Sequence, residues 1–133
     1  MISFKTISSF RVRLTNLLKV RRNVYAGITN EIKKELGGAS IEQVRMNRDM
    51  VLIENDLIVI KMRLPDHKQK LSKKDGFRLI YLVSKVNEIV VFLDVYPKNG
   101  PLQQLDIDNK EIKRLIAEYI NEGENDILGT FTM

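Results

Sequence analysis

The sequence predicts an α+β fold: an antiparallel twisted sheet with two N-terminal helices packed on one face and a C-terminal helix. Three observations predict this class. Apolar residues recur at helical spacing over residues 10–36, runs rich in β-branched and aromatic residues follow over residues 50–96, and helical spacing returns over residues 112–120. A chain of 133 residues is long enough to bury a core and fits a single domain.

The N-terminal region is predicted to form one strand and then an αα-hairpin. Residues 2–7 alternate weakly between apolar and polar side chains, which favours an edge strand. Ser8 or Ser9 can cap the first helix, and Gly37 and Gly38 end the second. The apolar stripes of the two helices consist of Phe10, Leu14, Leu17 and Leu18, and of Val24, Ile28, Ile32 and Leu36.

The central region is predicted to supply four strands. Ser40 and Gln43 match a capping box, which indicates a short helical turn before the strands begin. The strands are predicted over residues 50–53, 57–64, 77–83 and 89–96. A turn over residues 54–56 joins the first two, a lysine-rich loop over residues 66–76 joins the next two, and residues 84–88 make the last two a hairpin.

The chain is predicted to end in a helix and a loose tail. Asp108 caps this helix together with Glu111 three residues later, and Gly123 ends it. The apolar stripe of the helix consists of Ile112, Leu115, Ile116, Tyr119 and Ile120. Residues 124–133 lack periodicity, so the predicted domain covers residues 1–123 and the remainder is a flexible tail.

Composition excludes several classes of protein. A chain without cysteine forms no disulfide or thiolate metal site, and a single histidine leaves little scope for zinc, so we expect no metal and no cofactor. No apolar run approaches the roughly 20 residues that span a bilayer. Lys5, Arg11 and Arg13 interrupt the apolar core that a signal peptide would need. We therefore expect a cytoplasmic protein without a membrane partner.

Positive charge is concentrated in the first part of the chain. Residues 1–78 carry 17 lysines and arginines against 8 acidic residues, whereas residues 79–133 carry 5 against 9. The net charge of +5 therefore conceals a strongly basic region. Such a region indicates an anionic polymer as partner, although charged runs are also common on ordinary solvated surfaces.

Polar residues of the central strands sort onto one face of the predicted sheet, because side chains alternate between the two faces of a strand. The residues that gather on this exposed face are Lys61, Arg63, Arg78, Asp94, Tyr96 and Lys98. An ordinary one-sided sheet also exposes polar residues. A buried unpaired guanidinium is costly, however, so Arg78 must face water or have an anionic partner. Both arrangements put it on a surface that can meet phosphate.

Three ordered motifs carry a resemblance to a known family. They span residues 60–65, residues 76–81 with the string Gly-Phe-Arg-Leu-Ile-Tyr, and residues 93–98. In this order and spacing they resemble the RelE/ParE superfamily of bacterial toxins, and most closely its RelE and HigB branch, over residues 2 to about 120. The resemblance implies a RelE-like fold with a concave open face for RNA. It also implies a type II toxin that acts as an mRNA interferase at the ribosome.

The resemblance implies a metal-independent cleavage in which the 2′-hydroxyl attacks the phosphate. Such a reaction needs a base, cations that stabilise the phosphorane, and an acid. Arg78 has a planar fork that matches phosphate oxygens and is the predicted transition-state stabiliser. Lys61 and Arg63 hold the scissile phosphate or supply the base. Tyr96 and Lys98 match catalytic or RNA-positioning groups of the family. The residues predicted to bind RNA are Lys68, Lys70, Lys73 and Lys74.

Some assignments stay open at this point. Asn99 stands where several RelE-like toxins have a second arginine, and Tyr119 lies on a packing stripe, so no C-terminal tyrosine matches the family. The acid and the base are therefore unassigned. Asp94 either orients Arg78 or forms a structural salt bridge. His67 is isolated in the lysine-rich loop, where a histidine is more often without a role than catalytic.

Two other functions fit the same fold. A ParE-like protein would inhibit DNA gyrase without catalysis, although it would not require a cationic face with a phenol. A protein of the same fold with a decayed site would bind RNA or the ribosome without cleaving. As partners we expect a cognate antitoxin protein and mRNA on the ribosome, with operator DNA contacted only through the antitoxin.

Overall fold

Six strands form a single sheet in the computed structural model, which describes residues 1–46, 49–54 and 56–133. In chain order they are β1 (Ser3–Thr6), β2 (Asp49–Glu54), β3 (Leu57–Leu64), β4 (Phe77–Ser84), β5 (Ile89–Pro97) and β6 (Gly129–Thr130). Their order across the sheet is β2-β3-β4-β5-β1-β6. Neighbours pair antiparallel except β1 and β5, which are parallel. The fold is therefore α+β with a mostly antiparallel sheet.

Four helices accompany the sheet, and none of those in the described ranges is long and apolar enough to cross a membrane. They are α1 (Ser8–Leu18), α2 (Ile28–Leu36), α3 (Ile41–Arg45) and α4 (Asn109–Glu124), with short 3₁₀ turns at Arg21–Asn23 and His67–Gln69. All four helices and the five predicted strands occur, although α2 begins only at Ile28, so that Val24 of its predicted apolar stripe precedes the helix. Each strand agrees with its predicted bounds to within one residue. The predicted turn over residues 54–56 includes residue 55, which lies outside the described residues.

One face of the sheet packs against α1, α2 and α3. The Tyr81 hydroxyl donates a hydrogen bond to the Val44 carbonyl of α3 at 2.8 Å. The Phe10 ring of α1 lies 5.3 Å from that of Phe92, centroid to centroid. Tyr81 and Phe92 are cross-strand partners on β4 and β5, so both contacts lie on the same face. The N-terminal helices therefore contact this face of the sheet.

The opposite face is only partly open, because α4 covers one end of it. Ile80, Leu82 and Val91 point away from the three N-terminal helices and yet are fully buried. Ile112 and Leu115 of α4 are buried as well, and α4 contacts β5. Helices therefore lie on both faces of the sheet. Burying both faces protects more apolar surface than a one-sided sheet could, and it leaves only the charged end of the second face accessible.

The C-terminal segment belongs partly to the sheet. The sequence predicts a flexible tail over residues 124–133, but β6 pairs with β1 through Lys5 and Thr130. The Phe131 ring packs edge-on against Phe92 at 5.0 Å and against Phe10 at 6.4 Å. Aromatic burial therefore holds the end of the chain against α1 and β5.

Helix capping follows the prediction at two of three helices. Ser40 and Gln43 form the predicted capping box of α3, and the Asp108 carboxylate accepts from the Glu111 N–H of α4. The α1 helix differs from the prediction, because its N-cap residue is not a serine and gives no side-chain cap. Carboxylates of α4 take that role: Glu122 accepts from the Ser8 N–H at 3.0 Å, and Glu118 from the Ser9 N–H at 2.8 Å. Capping thereby also fastens α4 to α1.

Candidate functional site

A row of three side chains crosses three adjacent strands near one end of the sheet. Arg63 on β3 is the cross-strand partner of Arg78 on β4, and Arg78 is the partner of Tyr96 on β5. Directly opposed residues project from the same face, with Cβ atoms about 5 Å apart. Two guanidinium groups and one phenol therefore stand side by side on the face that α4 leaves partly open.

This row lines a polar cavity of about 530 Å³. The lining residues are Asp49, Met50, Val51, Lys61, Arg63, Arg78, Tyr96, Lys98, Leu105 and Asp106. All five residues predicted to be catalytic, which are Lys61, Arg63, Arg78, Tyr96 and Lys98, thus meet in one cavity. Strand alternation brings four of them together, and the end of β5 adds Lys98.

Arg78 is fixed by backbone carbonyls rather than by an acid. Its Nη1 donates to the carbonyls of Lys73 at 2.9 Å and Phe77 at 3.2 Å, and its Nη2 donates to that of Lys74 at 2.9 Å. The residue is only 7% exposed, so the expectation that it faces water or pairs with an anion is wrong. Burial lowers the pKa of Arg78, and the nearby Arg63 lowers it further. An arginine still keeps its charge at neutral pH.

Of the two basic residues on β3, Lys61 is the more tightly held. Lys61 Nζ lies 2.9 Å from Asp106 Oδ1, and this hydrogen bond lowers the pKa of Asp106. Arg63 Nε lies 3.6 Å from Asp49 Oδ2, and both side chains remain substantially exposed. Arg63 is therefore free to turn towards a ligand, whereas Lys61 must first release Asp106.

Tyr96 is a buried phenol whose proton is difficult to remove. The residue is 1% exposed, and its hydroxyl lies 3.4 Å from Asp106 Oδ1. Burial raises the pKa of Tyr96 well above its ordinary value, and the negative charge of Asp106 raises it further. At neutral pH the group is consequently a hydrogen-bond donor. The sequence places Tyr96 on an exposed surface, but packing at the end of β5 shields all except its polar edge.

Asp94 takes the structural role that the sequence leaves as one of two alternatives. Its carboxylate lies 3.4 Å from Arg13 Nε of α1 and accepts from the Val95 N–H at 2.9 Å. Burial raises the pKa of Asp94, and Arg13 partly offsets this effect. The residue is buried rather than exposed, and its cross-strand partner is Ile80. Asp94 therefore fastens α1 to β5 instead of orienting Arg78.

The four predicted RNA-binding lysines are exposed, and none of them lines the cavity. They are Lys68, Lys70, Lys73 and Lys74. The hydrogen bonds of Arg78 to the Lys73 and Lys74 carbonyls fasten their loop to β4. Gly76 permits this arrangement, since a Cβ at that position would lie 2.1 Å from the Leu64 carbonyl oxygen. Lys73 Nζ also lies 3.6 Å from Glu35 Oε1 of α2.

Three further residues singled out in the sequence have contacts away from the cavity. His67 Nδ1 lies 2.9 Å from the buried Glu31 carboxylate. The Asn99 side chain, in place of a second arginine, donates to the Asp75 carbonyl at 2.7 Å. Tyr119 packs against the hydrophobic core. None of the three lines the cavity, so each has a structural role in this fold.

Sequence reasoning misses the two acidic residues of the cavity, Asp49 and Asp106. Asp49 directly precedes the predicted strand at residues 50–53, so its proximity could have been inferred from strand extension. Nothing in the sequence indicates Asp106, because it belongs to an irregular connection. In the ranges that the structure describes, no group of three or more His, Cys, Asp or Glu residues could hold a metal ion.

Neither a scan against models of protein families nor a search of curated proteins found a match for this chain. The arrangement of side chains must therefore indicate the chemistry. Four cations, a phenol and two carboxylates line a cavity of about 530 Å³ at the border of a lysine-rich loop. Such a site can bind phosphodiesters and stabilise additional negative charge on them.

Proposed function

We propose that the protein is the toxin of a type II toxin–antitoxin system and acts as an endoribonuclease on mRNA at the ribosome. The observation that carries the proposal is the row of Arg63, Arg78 and Tyr96 across three adjacent strands. Lys61 and Lys98 complete a cavity with the chemistry that phosphodiester cleavage needs. The three sequence motifs that resemble RelE and HigB proteins contain all five of these residues.

In the proposed reaction the ribose 2′-oxygen forms a bond to phosphorus while the bond from phosphorus to the 5′-oxygen breaks. The products are a 2′,3′-cyclic phosphate and a 5′-hydroxyl. Negative charge increases on the non-bridging oxygens in the transition state, and Arg78 supplies a fork of donors for them. Its guanidinium is oriented in advance by the carbonyls of Lys73, Phe77 and Lys74, so little reorganisation accompanies the reaction.

Proton transfer in this reaction needs an acid for the leaving oxygen and a base for the 2′-hydroxyl. Tyr96 keeps its proton at neutral pH because burial and Asp106 raise its pKa, so it cannot be the base and instead donates to the leaving 5′-oxygen. Lys61 lies on the same face as Arg63, two positions away on β3, and its ammonium binds the RNA strand, while water accepts the 2′-proton. Lys98, at the end of β5, holds a non-bridging oxygen. No step requires a metal ion or cofactor.

The proposal includes a RelE-like arrangement of the fold, a cytoplasmic location and a neutralising partner. The two N-terminal helices on one face and α4 after the last long strand support that arrangement. We expect an acidic segment of an antitoxin to cover the cavity or to displace α4, with operator DNA contacted only through the antitoxin. Net positive charge around the cavity would attract such a segment.

Brief induction in cells tests the function directly. We expect growth arrest with loss of intact mRNA, and primer extension should locate the cut sites within coding regions being translated. Gyrase–DNA breaks with mRNA left intact would instead support the ParE-like alternative. Ribosome binding without any new 5′ ends would support the non-cleaving alternative. Co-expression with the neighbouring gene should abolish the arrest if that gene encodes the antitoxin.

A further inference from the structure

Of the two carboxylates that line the cationic cavity, Asp106 is the one that contacts more than one of the groups assigned to catalysis. Asp106 Oδ1 lies 2.9 Å from Lys61 Nζ and 3.4 Å from the Tyr96 hydroxyl, and it also accepts from the Ile107 N–H at 2.8 Å. The hydrogen bond from Lys61 lowers the pKa of Asp106, so its charge is retained at neutral pH. An internal anion therefore holds two of the groups that we assign to the phosphodiester.

The segment that carries Asp106 is held by polar contacts rather than by burial. The Gln104 side chain donates to the Asp106 carbonyl at 2.9 Å, and the Lys98 ammonium donates to the Leu105 carbonyl. The apolar side chain of Leu105 lies in solvent, since the residue is 87% exposed. The Asp106 side chain is itself 64% exposed. Moving it away would thus expose little additional apolar surface.

The end of the cavity that contains Arg63 and Arg78 differs in how its cations are held. Arg78 donates only to backbone carbonyls, and within the described part of the chain no carboxylate pairs with it. Arg63 has only a loose contact with Asp49, at 3.6 Å between two substantially exposed side chains. Carboxylates therefore hold the cations at this end of the cavity less tightly than Asp106 holds Lys61.

We propose that Lys61 forms a second anion subsite, which the Asp106 carboxylate fills in the free protein and which a nucleic-acid phosphate fills by displacing it, so that the Tyr96 hydroxyl is released for the leaving oxygen. The carboxylate oxygen stands in for a phosphate oxygen. The inference rests on the proposed function, because it specifies how an RNA strand occupies the same cavity. Asp106 thereby acts as an internal competitor of RNA.

The spacing of the subsites defines the class of ligand. Lys61 and Arg63 lie two residues apart on one face of β3, which corresponds to about 6.6 Å of strand rise. A single phosphate group is too small to engage both fully. A strand with two successive phosphates can place one at Arg63 and Arg78 and the other at Lys61. We therefore expect oligonucleotides to displace Asp106 and mononucleotides to leave it in place.

The matched substitutions Asp106→Asn and Asp126→Asn test the subsite. Both remove one negative charge, but Asp126 lies beyond the end of α4, outside the cavity. Asparagine keeps an oxygen for the Ile107 N–H and suits the positive φ of Asp126, so both variants should fold. The probe is a fluorescein-labelled single-stranded RNA whose 2′-hydroxyls are all methylated, so that binding is measured by anisotropy without cleavage.

Asp106→Asn should bind this probe about fivefold more tightly than the wild type, since an exposed ion pair is a weak competitor. Asp126→Asn should stay close to the wild type. Equal affinities for the two variants, or weaker binding by Asp106→Asn, would overturn the inference.

Tripolyphosphate as a second probe separates this inference from the proposed function. If no protein binds RNA and yet Asp106→Asn takes up tripolyphosphate more tightly than Asp126→Asn, the subsite stands and the RNA function fails. If the wild type cleaves mRNA while the two variants bind both probes equally, the function stands and the subsite is wrong.

Discussion

Arg63 and Arg78 lie directly opposite each other on β3 and β4, so that two like charges share one cross-strand position. Such a pair is destabilising in an antiparallel sheet. Its effect is visible in the pKa of Arg78, which Arg63 lowers in addition to the larger effect of burial. An anion placed between the two guanidinium groups would remove the repulsion. The sheet therefore stores a small amount of unfavourable energy that ligand binding can release.

Substituting Arg63→Gln should consequently stabilise the free protein. Removing the repulsion should raise the free energy of unfolding by about 0.5 kcal/mol, because the Asp49 contact that is lost is exposed and contributes little. Urea denaturation at low salt measures this, and the gain should shrink at high salt. Arg21→Gln, which removes an exposed charge far from the cavity, is the control. A loss of stability for Arg63→Gln relative to this control would contradict the interpretation.

Strand alternation explains why much of the cavity could be predicted from the sequence. The side-chain period of a strand is fixed, so Lys61, Arg63, Arg78 and Tyr96 could be assigned to one face before their pairing was known. The depth of Arg78 could not be predicted in the same way. It depends on carbonyls of an irregular loop, whose conformation leaves no periodic pattern in the sequence.

Sequence patterns also could not predict which distant parts of the chain contribute to the cavity and to the core. Asp106 reaches Lys61 through a connection without regular structure, so its spacing carries no information about its position. The two residues of β6 are too few to show alternation, and the single aromatic side chain of Phe131 looks like part of a polar tail. The position of α4 on the second face depends on burial of residues such as Ile80, which a one-sided sheet would expose.

The packing of the Phe131 ring predicts that Phe131→Ala destabilises the protein. Losing the ring contacts with Phe92 and Phe10 should lower the free energy of unfolding by about 2 kcal/mol, less than for a fully buried phenylalanine. Ile127→Ala, at a residue that is 55% exposed, should change it by less than about 0.5 kcal/mol. Chemical denaturation of the two variants provides the comparison. Equal effects would indicate that the end of the chain is a loose tail after all.

Tyr96→Phe should make stability less dependent on alkaline pH. Burial and Asp106 raise the pKa of Tyr96 above 10.0, so the folded protein keeps the phenolic proton at pH values where the unfolded chain has lost it. The contribution of Tyr96 to the free energy of unfolding is therefore complete below pH 10 and is lost as the pH rises beyond this value. Urea denaturation one pH unit below and one above this value should show a steeper loss for the wild type than for Tyr96→Phe.

Tyr119→Phe, which removes a tyrosine hydroxyl outside the cavity, is measured alongside as a matched substitution. The account of Tyr96 would fail if Tyr96→Phe lost stability between the two pH values as steeply as the wild type.

The lysine-rich loop predicts unequal contributions from two adjacent lysines. Lys74→Gln should reduce the slope of log affinity against log salt for single-stranded RNA by about 0.7, as expected for one phosphate contact. Lys73→Gln should reduce it less, because Lys73 is already paired with Glu35 at 3.6 Å. Anisotropy titrations at several salt concentrations measure both slopes. A larger effect for Lys73 would show that this ion pair opens when RNA binds.

The central claim is that Arg78 stabilises the transition state of RNA cleavage, and single-turnover cleavage at saturating RNA tests it most directly. Arg78→Ala should lower this rate by roughly two to three orders of magnitude, as removal of an oriented electrostatic donor does. Arg78→Lys should not restore it, since an ammonium cannot reproduce the planar fork that the Lys73 and Lys74 carbonyls orient. Circular dichroism of both variants should match that of the wild type. A rate for Arg78→Ala equal to that of the wild type at saturation would contradict the account, because Arg78 would then only anchor the loop or the phosphate.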